Sequence, residues 1–446
     1  MAGTNKRKAA RMICLLPHCG YLSETTRMIA IYKALAARGV PLCAATHGGP
    51  HEGLLAESGL PYQVVGPHMT VERATRFVRD GAGMGARSQS MWTDAELEAY
   101  ATAEAQFFRE RGVRVAVTGF TLTTLLSTRL AGVKLVTEHA GSYVPPIWER
   151  RMFEPFLTSP LLPLVDYLPR AARRFAANLG LHQVQHYCAG FNRVAKRLGV
   201  EGVPSFATLL MGDLTLVPEA PEVLGVAPAE LEAWRPGPKG YRAGMRLKYT
   251  GPLFAELDRP VPERVQRFLD GPRPIIYVAI TSSTAEQVCA VVRSLEPVGA
   301  RILVAGTVHA LAELESERVL VEGVLPSQRI MPRVDLAITA GGQGSVQCAM
   351  AAGTPLIVLP LQPEQDFNGQ LIERMGAGRR IAFADAATPK LAELARALLA
   401  DPGVRRNAQR VRDIYARLDG PSLAAEAIME YAGLHAHSEP ASRCSA

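Results

Sequence analysis

Apolar residues recur along this chain in two rhythms that alternate. Short runs of four or five, such as Met12 to Leu16 and Leu42 to Thr46, have the length of buried strands. Between them, Thr25 to Arg38 places Met28, Ile29, Tyr32 and Leu35 on one helical face and ends at Gly39. Further strands are expected at Val113 to Thr118 and Lys134 to Thr137, joined by a helix through Thr124 to Leu130. A second series follows: strands Ile275 to Ile280, Arg301 to Ala305, Val319 to Val321, Asp335 to Thr339 and Leu356 to Leu359. Its helices are expected near Ser283 to Leu295, Gly344 to Ala352, Asn368 to Met375 and Leu391 to Leu399. Strands alternating with helices predict parallel sheets covered on both faces, here twice in tandem.

The stretch Pro218 to Pro238, rich in Pro, Ala, Glu and Gly, is the expected linker. The predicted organisation is an N-terminal acceptor-binding domain over 1–217, a linker over 218–244, a C-terminal donor-binding domain over 245–419, and a helix and tail over 420–446. That last helix is read as returning to the N-terminal domain. In sheets of this type ligands sit outside the carboxyl ends of the strands, so two facing domains place a site in the cleft between them.

Length and composition support this division. The chain has 446 residues, 48% hydrophobic and 20% charged, enough for two cores and too apolar for extensive disorder. No run is long enough to span a bilayer, and the basic start at Lys6, Arg7, Lys8 and Arg11 precedes an apolar run too short for a secretory signal, so a cytoplasmic location is expected. Seven cysteines (Cys14, Cys19, Cys43, Cys188, Cys289, Cys348 and Cys444) show no C-x-x-C spacing, which argues for reduced thiols. The net charge of +7 is spread among acids, a solvated surface rather than a nucleic-acid face. Around Leu161 to Val165 and the following Arg170, Arg173 and Arg174, a peripheral membrane contact competes with the simpler reading of an amphipathic helix with a basic face.

The candidate chemistry concentrates after the strand ending at Thr339. Ala340-Gly341-Gly342-Gln343-Gly344-Ser345 opens a small-residue helix, an arrangement that aims free N–H groups and a helix dipole at one point suited to a diphosphate. The loop with Ser282 and Ser283 would form a second anion-binding turn on the same sheet. The turn with Glu364, Gln365 and Asn368 offers a carboxylate and amides for sugar hydroxyls. In the first half, His18 and Tyr21 sit in the loop after the first strand, Glu138 and His139 follow Lys134 to Thr137, and Tyr143 and His47 are candidate acceptor contacts. No metal-ligand spacing and no Asp-x-Asp is present; neither a metal nor another cofactor is expected, the nucleotide sugar being a substrate.

These motifs together resemble the donor signature of the GT-B glycosyltransferases of the family-1 type, the UDP-glycosyltransferase and macrolide-glycosyltransferase group. In that family the pattern is His-Gly-Gly-x-Gly-Thr, a small-residue helix, Gly-x-Pro, a strand ending in Pro, and Asp-Gln-x-x-Asn. This chain has Ala340 to Ser345, Gly353-Thr354-Pro355, Pro360 and Glu364-Gln365-Asp366-Phe367-Asn368 in the same order. The resemblance implies an α/β fold of two Rossmann-like doubly wound domains. It also implies an inverting, metal-independent transfer from a nucleoside diphosphate sugar, of UDP or dTDP type, to a hydroxyl or amine of a small apolar acceptor. By the same resemblance Gly342, Gly344 and Ser345 meet the diphosphate, Ser283 helps hold it, Glu364 and Gln365 meet sugar hydroxyls, and Leu325 and Gln328 lie toward the nucleoside.

Three departures from the family pattern stand out. Ala340 stands where the family has a phosphate-binding histidine, and Cys348 where it often has an acid for ribose. The third departure is the usual His/Asp dyad: Gly20 is followed by Tyr21, and the aspartate position is Gly119. His18 is therefore the expected replacement base. A nucleotide-sugar epimerase on this scaffold and a non-catalytic partner protein of the same fold are the alternative readings.

Overall fold

The computed structural model describes residues 12–81, 90–158, 167–178, 185, 187–254, 259–280, 283–306 and 311–434. The basic N-terminal residues, the run Leu161 to Val165, Ser282 and Cys444 lie outside the described residues.

Two wholly parallel sheets organise the chain. The first contains β1 (Met12–Leu15), β2 (Leu42–Thr46), β3 (Gln63–Val64), β4 (Val113–Thr118), β5 (Lys134–Glu138), β6 (Leu214–Val217) and β7 (Arg246–Tyr249), in the order β3-β2-β1-β4-β5-β6-β7. The second contains β8 (Ile275–Ala279), β9 (Arg301–Ala305), β10 (Val319–Glu322), β11 (Leu336–Thr339), β12 (Leu356–Val358) and β13 (Gly378–Arg380), in the order β10-β9-β8-β11-β12-β13. Each sheet reverses direction of growth beside its first strand, between β1 and β4 and between β8 and β11. At these switch points two loops diverge and leave a crevice.

Five helices position the site: α1 (Leu22–Ala36), α2 (Asp94–Arg111), α3 (Gln343–Ala352), α4 (Pro363–Arg374) and α5 (Gly420–Ala432). α1 buries Met28, Ile29, Ile31 and Leu35, and the chain leaves it through Gly39 at φ +67°, a left-handed turn that glycine adopts without strain. α2 starts on a capping box between Thr93 and Glu96.

The expected domain division needs correcting at its middle. Arg246–Tyr249 pairs in parallel with Leu214–Val217, so the chain completes the first sheet before entering the second. The segment 218–244 is no free linker either: it carries short helices at Pro221–Leu224 and Pro228–Ala233 and buries Val223, Leu224, Val226 and Leu231. Prolines and glycines there punctuate short turns rather than release the chain, because the apolar residues between them find a core. That core is continuous across the two units, joining Trp148, Leu224 and Leu247 to Phe367, Leu371 and Tyr415.

α5 returns to the first unit. Ala424, Ala425 and Ile428 pack with Ile29, Ile31 and Leu35 of α1, and Arg38 donates to the Ser422 hydroxyl (2.9 Å) and to Glu426 (3.1 Å). The two chain crossings touch: a β-carbon placed at Gly420 would lie 2.0 Å from the Pro252 carbonyl oxygen, so only glycine allows that approach.

Candidate functional site

The donor side is built from backbone. β11 ends in Thr339, whose hydroxyl accepts Gly341 N–H (3.1 Å), and the chain turns at Gly341 with φ +90°. A β-carbon at Gly341 would stand 2.5 Å from Val358 and 2.7 Å from the Gln365 carbonyl oxygen, so the turn cannot accept a side chain. Gly342 then caps α3 with its backbone only, and the Gln343 N–H in the first turn is taken by Glu364 of α4. Asn368 on α4 fastens the arrangement, donating to Gly341 O (2.9 Å) and Glu364 Oε1 (2.7 Å). Burial pushes the Glu364 carboxyl above its ordinary range, opposed by Asn368, Arg27 and the Gln343 N–H.

This turn faces the other unit. A β-carbon at Gly344 would come within 3.3 Å of the Ser23 β-carbon on α1, and the Gln343 amide donates to the Pro218 carbonyl (3.2 Å). The N-termini of α1 and α3, each following the first or fourth strand of its sheet, therefore meet across the cleft.

The acceptor side is built from buried side chains. His18 lies in the loop after β1, its ring against Phe77 (4.5 Å between centroids), and burial lowers its pKa to about 3. Its Nδ1 accepts Gly20 N–H (3.3 Å), which places the proton of the neutral ring on Nε2, a buried atom with no partner. As it stands, His18 offers a donor rather than a lone pair, the reverse of the base expected at this position. Tyr21 packs edge-on to Phe120 (5.1 Å), and burial raises its phenol.

His139, at the end of β5, lies across the same Phe120 (5.9 Å) and beside Tyr143 (6.4 Å). Its Nε2 is also buried and unpartnered, and burial, with the nearby Arg27 charge, lowers its pKa to about 3. Tyr143 feels Glu364 from the opposite unit, and its phenol is raised by burial first. Glu138 is fully buried; one oxygen takes Arg27 Nε at 2.6 Å and the other has no partner.

Two residues of this site, Glu24 and Arg27, escaped the sequence reading. Glu24 accepts His18 N–H (2.8 Å) with one oxygen and Gly119 (3.0 Å) and Phe120 (3.2 Å) N–H with the other. A β-carbon at Gly119 would lie 2.4 Å from Glu24 Cγ. The carboxylate missing at 119 is thus replaced in space by one from α1, and burial raises it to about 7. The signal was present: a Glu and an Arg, three residues apart, in the polar first turns of the helix following β1, ahead of its apolar run from Met28.

Other expected site residues are placed elsewhere. His47 is buried with Nδ1 on Val65 O (2.8 Å) and Nε2 on Glu104 (2.7 Å), a network that Thr123 and Ser127 complete. With both ring nitrogens engaged, it braces β2 against α2 and is no acceptor contact. Gln365 turns its amide oxygen to Leu361 N–H (2.9 Å), steadying its own turn rather than reaching the cleft. Leu325 is buried in the core shared by the units. Ser283 donates its hydroxyl to Ile280 O (2.7 Å) in the loop after β8; Gln328 is partly exposed beside Leu325, and Ser345 partly exposed in the first turn of α3. Cys348 is buried, its thiol pushed up to about 12, and Ala340 is core.

The family described as "Erythromycin biosynthesis protein CIII-like, C-terminal domain" matches residues 290–430, spanning the glycine turn and α4. The chain is 31% identical to the 4'-demethylrebeccamycin synthase of Lentzea aerocolonigenes over 156 residues, 34% of this chain and only 37% of that protein. It is 25% identical to the PGL/p-HBAD biosynthesis glycosyltransferase of Mycobacterium tuberculosis over 368 residues, 80% of this chain and 77% of that protein. The crystal structure of the glycosyltransferase VinC in complex with DTDP shares the fold, with a TM-score of 0.62 at 13% identity over 95% of this chain and 100% of that one. The chain has the two-sheet fold of the GT-B glycosyltransferases, and its residues 290–430 match that C-terminal domain family. Of its departures from the GT-B family pattern, Gly119 lies against Glu24 of α1, whose carboxyl takes the Gly119 and Phe120 N–H groups, while Ala340 is buried in the core of the second unit. No helix of the described residues is long and apolar enough to cross a membrane.

Proposed function

We propose that this protein transfers a sugar from a dTDP- or UDP-sugar to a hydroxyl or amine of a small apolar acceptor, with inversion and without a metal. The observation that carries the reading is the glycine-capped N-terminus of α3, which faces α1 at the switch point of the first sheet through a side-chain-free turn. Backbone N–H groups and a helix dipole stabilise charge growing on a departing diphosphate without reorganising. Glu364, fixed by Asn368 beside that N-terminus, is positioned to accept hydrogen bonds from sugar hydroxyls.

On the acceptor side, an attacking hydroxyl has to lose its proton to a nitrogen or carboxylate with an open lone pair. His139 Nε2 meets that condition, since no hydrogen bond fixes its proton, whereas the His18 tautomer makes that ring a donor able to orient the acceptor. Phe77, Phe120, Tyr21 and Tyr143 surround both rings, which suits an apolar acceptor. The acceptor oxygen would then form its bond to the anomeric carbon as the bond to the diphosphate breaks on the opposite face. The names of the relatives, a 4'-demethylrebeccamycin synthase and a PGL/p-HBAD biosynthesis glycosyltransferase, agree with a small biosynthetic acceptor.

Purified protein incubated with dTDP- and UDP-sugars and a set of phenolic and alcoholic acceptors should release nucleoside diphosphate and form a glycoside of inverted configuration by NMR. Absence of both nucleotide binding and donor turnover, in protein whose melting is cooperative, would sink the reading.

A further inference from the structure

By the resemblance, Ala340 leaves the donor site without the histidine of the family motif, a hydrogen-bond donor and potential positive charge, and a diphosphate held by dipoles alone lacks a full counter-charge. The structure holds a cation on the other unit, near the start of α3. Arg27 lies one turn after Ser23 on α1, on the same helical face, and Ser23 is the residue that meets Gly344 at the start of α3. The guanidinium is largely buried, with 12% of its side chain exposed. Its Nε is anchored on Glu138 Oε2 at 2.6 Å, while neither terminal amino group has a hydrogen-bond partner among the described residues. Its charge reaches Glu364, the carboxylate that takes the Gln343 N–H at the α3 N-terminus, as well as Glu24 and His139.

An arginine fixed through Nε with its two-pronged end open is preorganised for an oxyanion: the planar fork matches two phosphoryl oxygens, and the side-chain entropy is already spent. We propose that Arg27, held by Glu138, binds the diphosphate of the donor from the acceptor-side unit, supplying from across the cleft the positive charge that residue 340 does not. The inference rests on the glycosyltransferase reading above and adds to it a binding role for Arg27 and an anchoring role for Glu138. Because the cation and the glycine turn belong to different units, diphosphate binding would also couple the two.

The test is calorimetric binding of dTDP, UDP, thymidine monophosphate and thymidine to the full-length protein and to R27A, R27K and the R27Q/E138Q pair. The pair removes both charges at once, so it does not leave Glu138 buried and unmatched if R27A folds poorly. Expected is a dTDP affinity weakened about 10- to 100-fold in R27A and R27Q/E138Q, a smaller loss in R27K, and thymidine binding unchanged. Undiminished dTDP affinity in the folded neutral variants overturns the proposal, as does an equal loss for dTDP and thymidine, which marks a structural role. Failure of the unaltered protein to bind any nucleoside diphosphate instead overturns the function itself, before Arg27 enters.

Discussion

The two sheets share a strand order around their switch points and use them in opposite ways. Beside β11 the crevice is made of main chain: Gly341 turns back on Thr339, Gly342 and Gly344 open α3 without side chains, and the neighbouring Asn368 and Gln365 hold the surrounding turns. Beside β1 and β4 it is made of desolvated side chains, with His18, Glu24, Glu138 and His139 all buried and three of them carrying unpartnered atoms. A backbone site tolerates almost no change of shape, because its geometry is the fold. A side-chain site can be rebuilt from another element, and Glu24 reaching from α1 into the space over Gly119 is such a rebuilding.

The strongest test of that contrast is at the glycine turn. Gly341→Val has to displace Val358 and the Gln365 carbonyl and adopt a left-handed backbone. A loss of about 3 kcal/mol or more of stability is expected, together with loss of nucleoside diphosphate binding. A variant that melts and binds like the parent would show that the main chain there is not constrained. On the other side, His139→Gln should leave folding and dTDP binding intact while lowering kcat about 100-fold or more, with His18→Gln costing less. The reverse ranking would return the base to His18.

The exchange of Glu24 for a carboxylate at 119 can be probed directly. Glu24→Ala strips three buried N–H groups of their acceptor and should cost about 3 kcal/mol by denaturant unfolding. Gly119→Asp alone should clash with Glu24 and destabilise; added to Glu24→Ala it should recover part of the loss. If Gly119→Asp is equally harmful in both backgrounds, the two positions are not sharing one space.

The smallest effect concerns pH. Burial raises Glu24 and Glu219 to about 7 from an ordinary 4.5, so the folded state binds protons that the unfolded chain has released. Their stabilising contribution is full below about pH 4.5 and is lost as pH rises toward and through 7. Glu219 sits at the seam between the units, accepting from Tyr415 at 2.6 Å. Glu219→Gln should therefore flatten the fall in melting temperature between pH 5 and 8; an unchanged slope would mean that Glu219 does not titrate there.

Much of the donor side was readable before any coordinates. Strand, glycine turn and small-residue helix are contiguous, and their physical requirement, a glycine-capped helix N-terminus, is local. The helix end at Gly39 and the parallel strands were legible for the same reason. What eluded the residue string were long-range relations. His47 looked like a cleft histidine because a glycine-rich loop follows it, yet its partners are Val65 and Glu104. Gln365 looked like a sugar contact, but its amide reaches only four residues back. β7 was hidden in a polar run, Arg246-Leu247-Lys248-Tyr249, whose strand character comes from pairing with β6.

The residue order was thus sufficient for two doubly wound units and for the strand, glycine turn and helix at 336–352, since hydrophobic period and backbone freedom act over a few neighbouring residues. Which carboxylate supports the His18 loop, where the first sheet ends, and that Arg27 faces α3 from the other unit depended on packing. Each requires segments well separated along the chain to be brought together, 95 residues for Glu24 and Gly119, and the desolvation that sets their charge exists only once the core around them has closed.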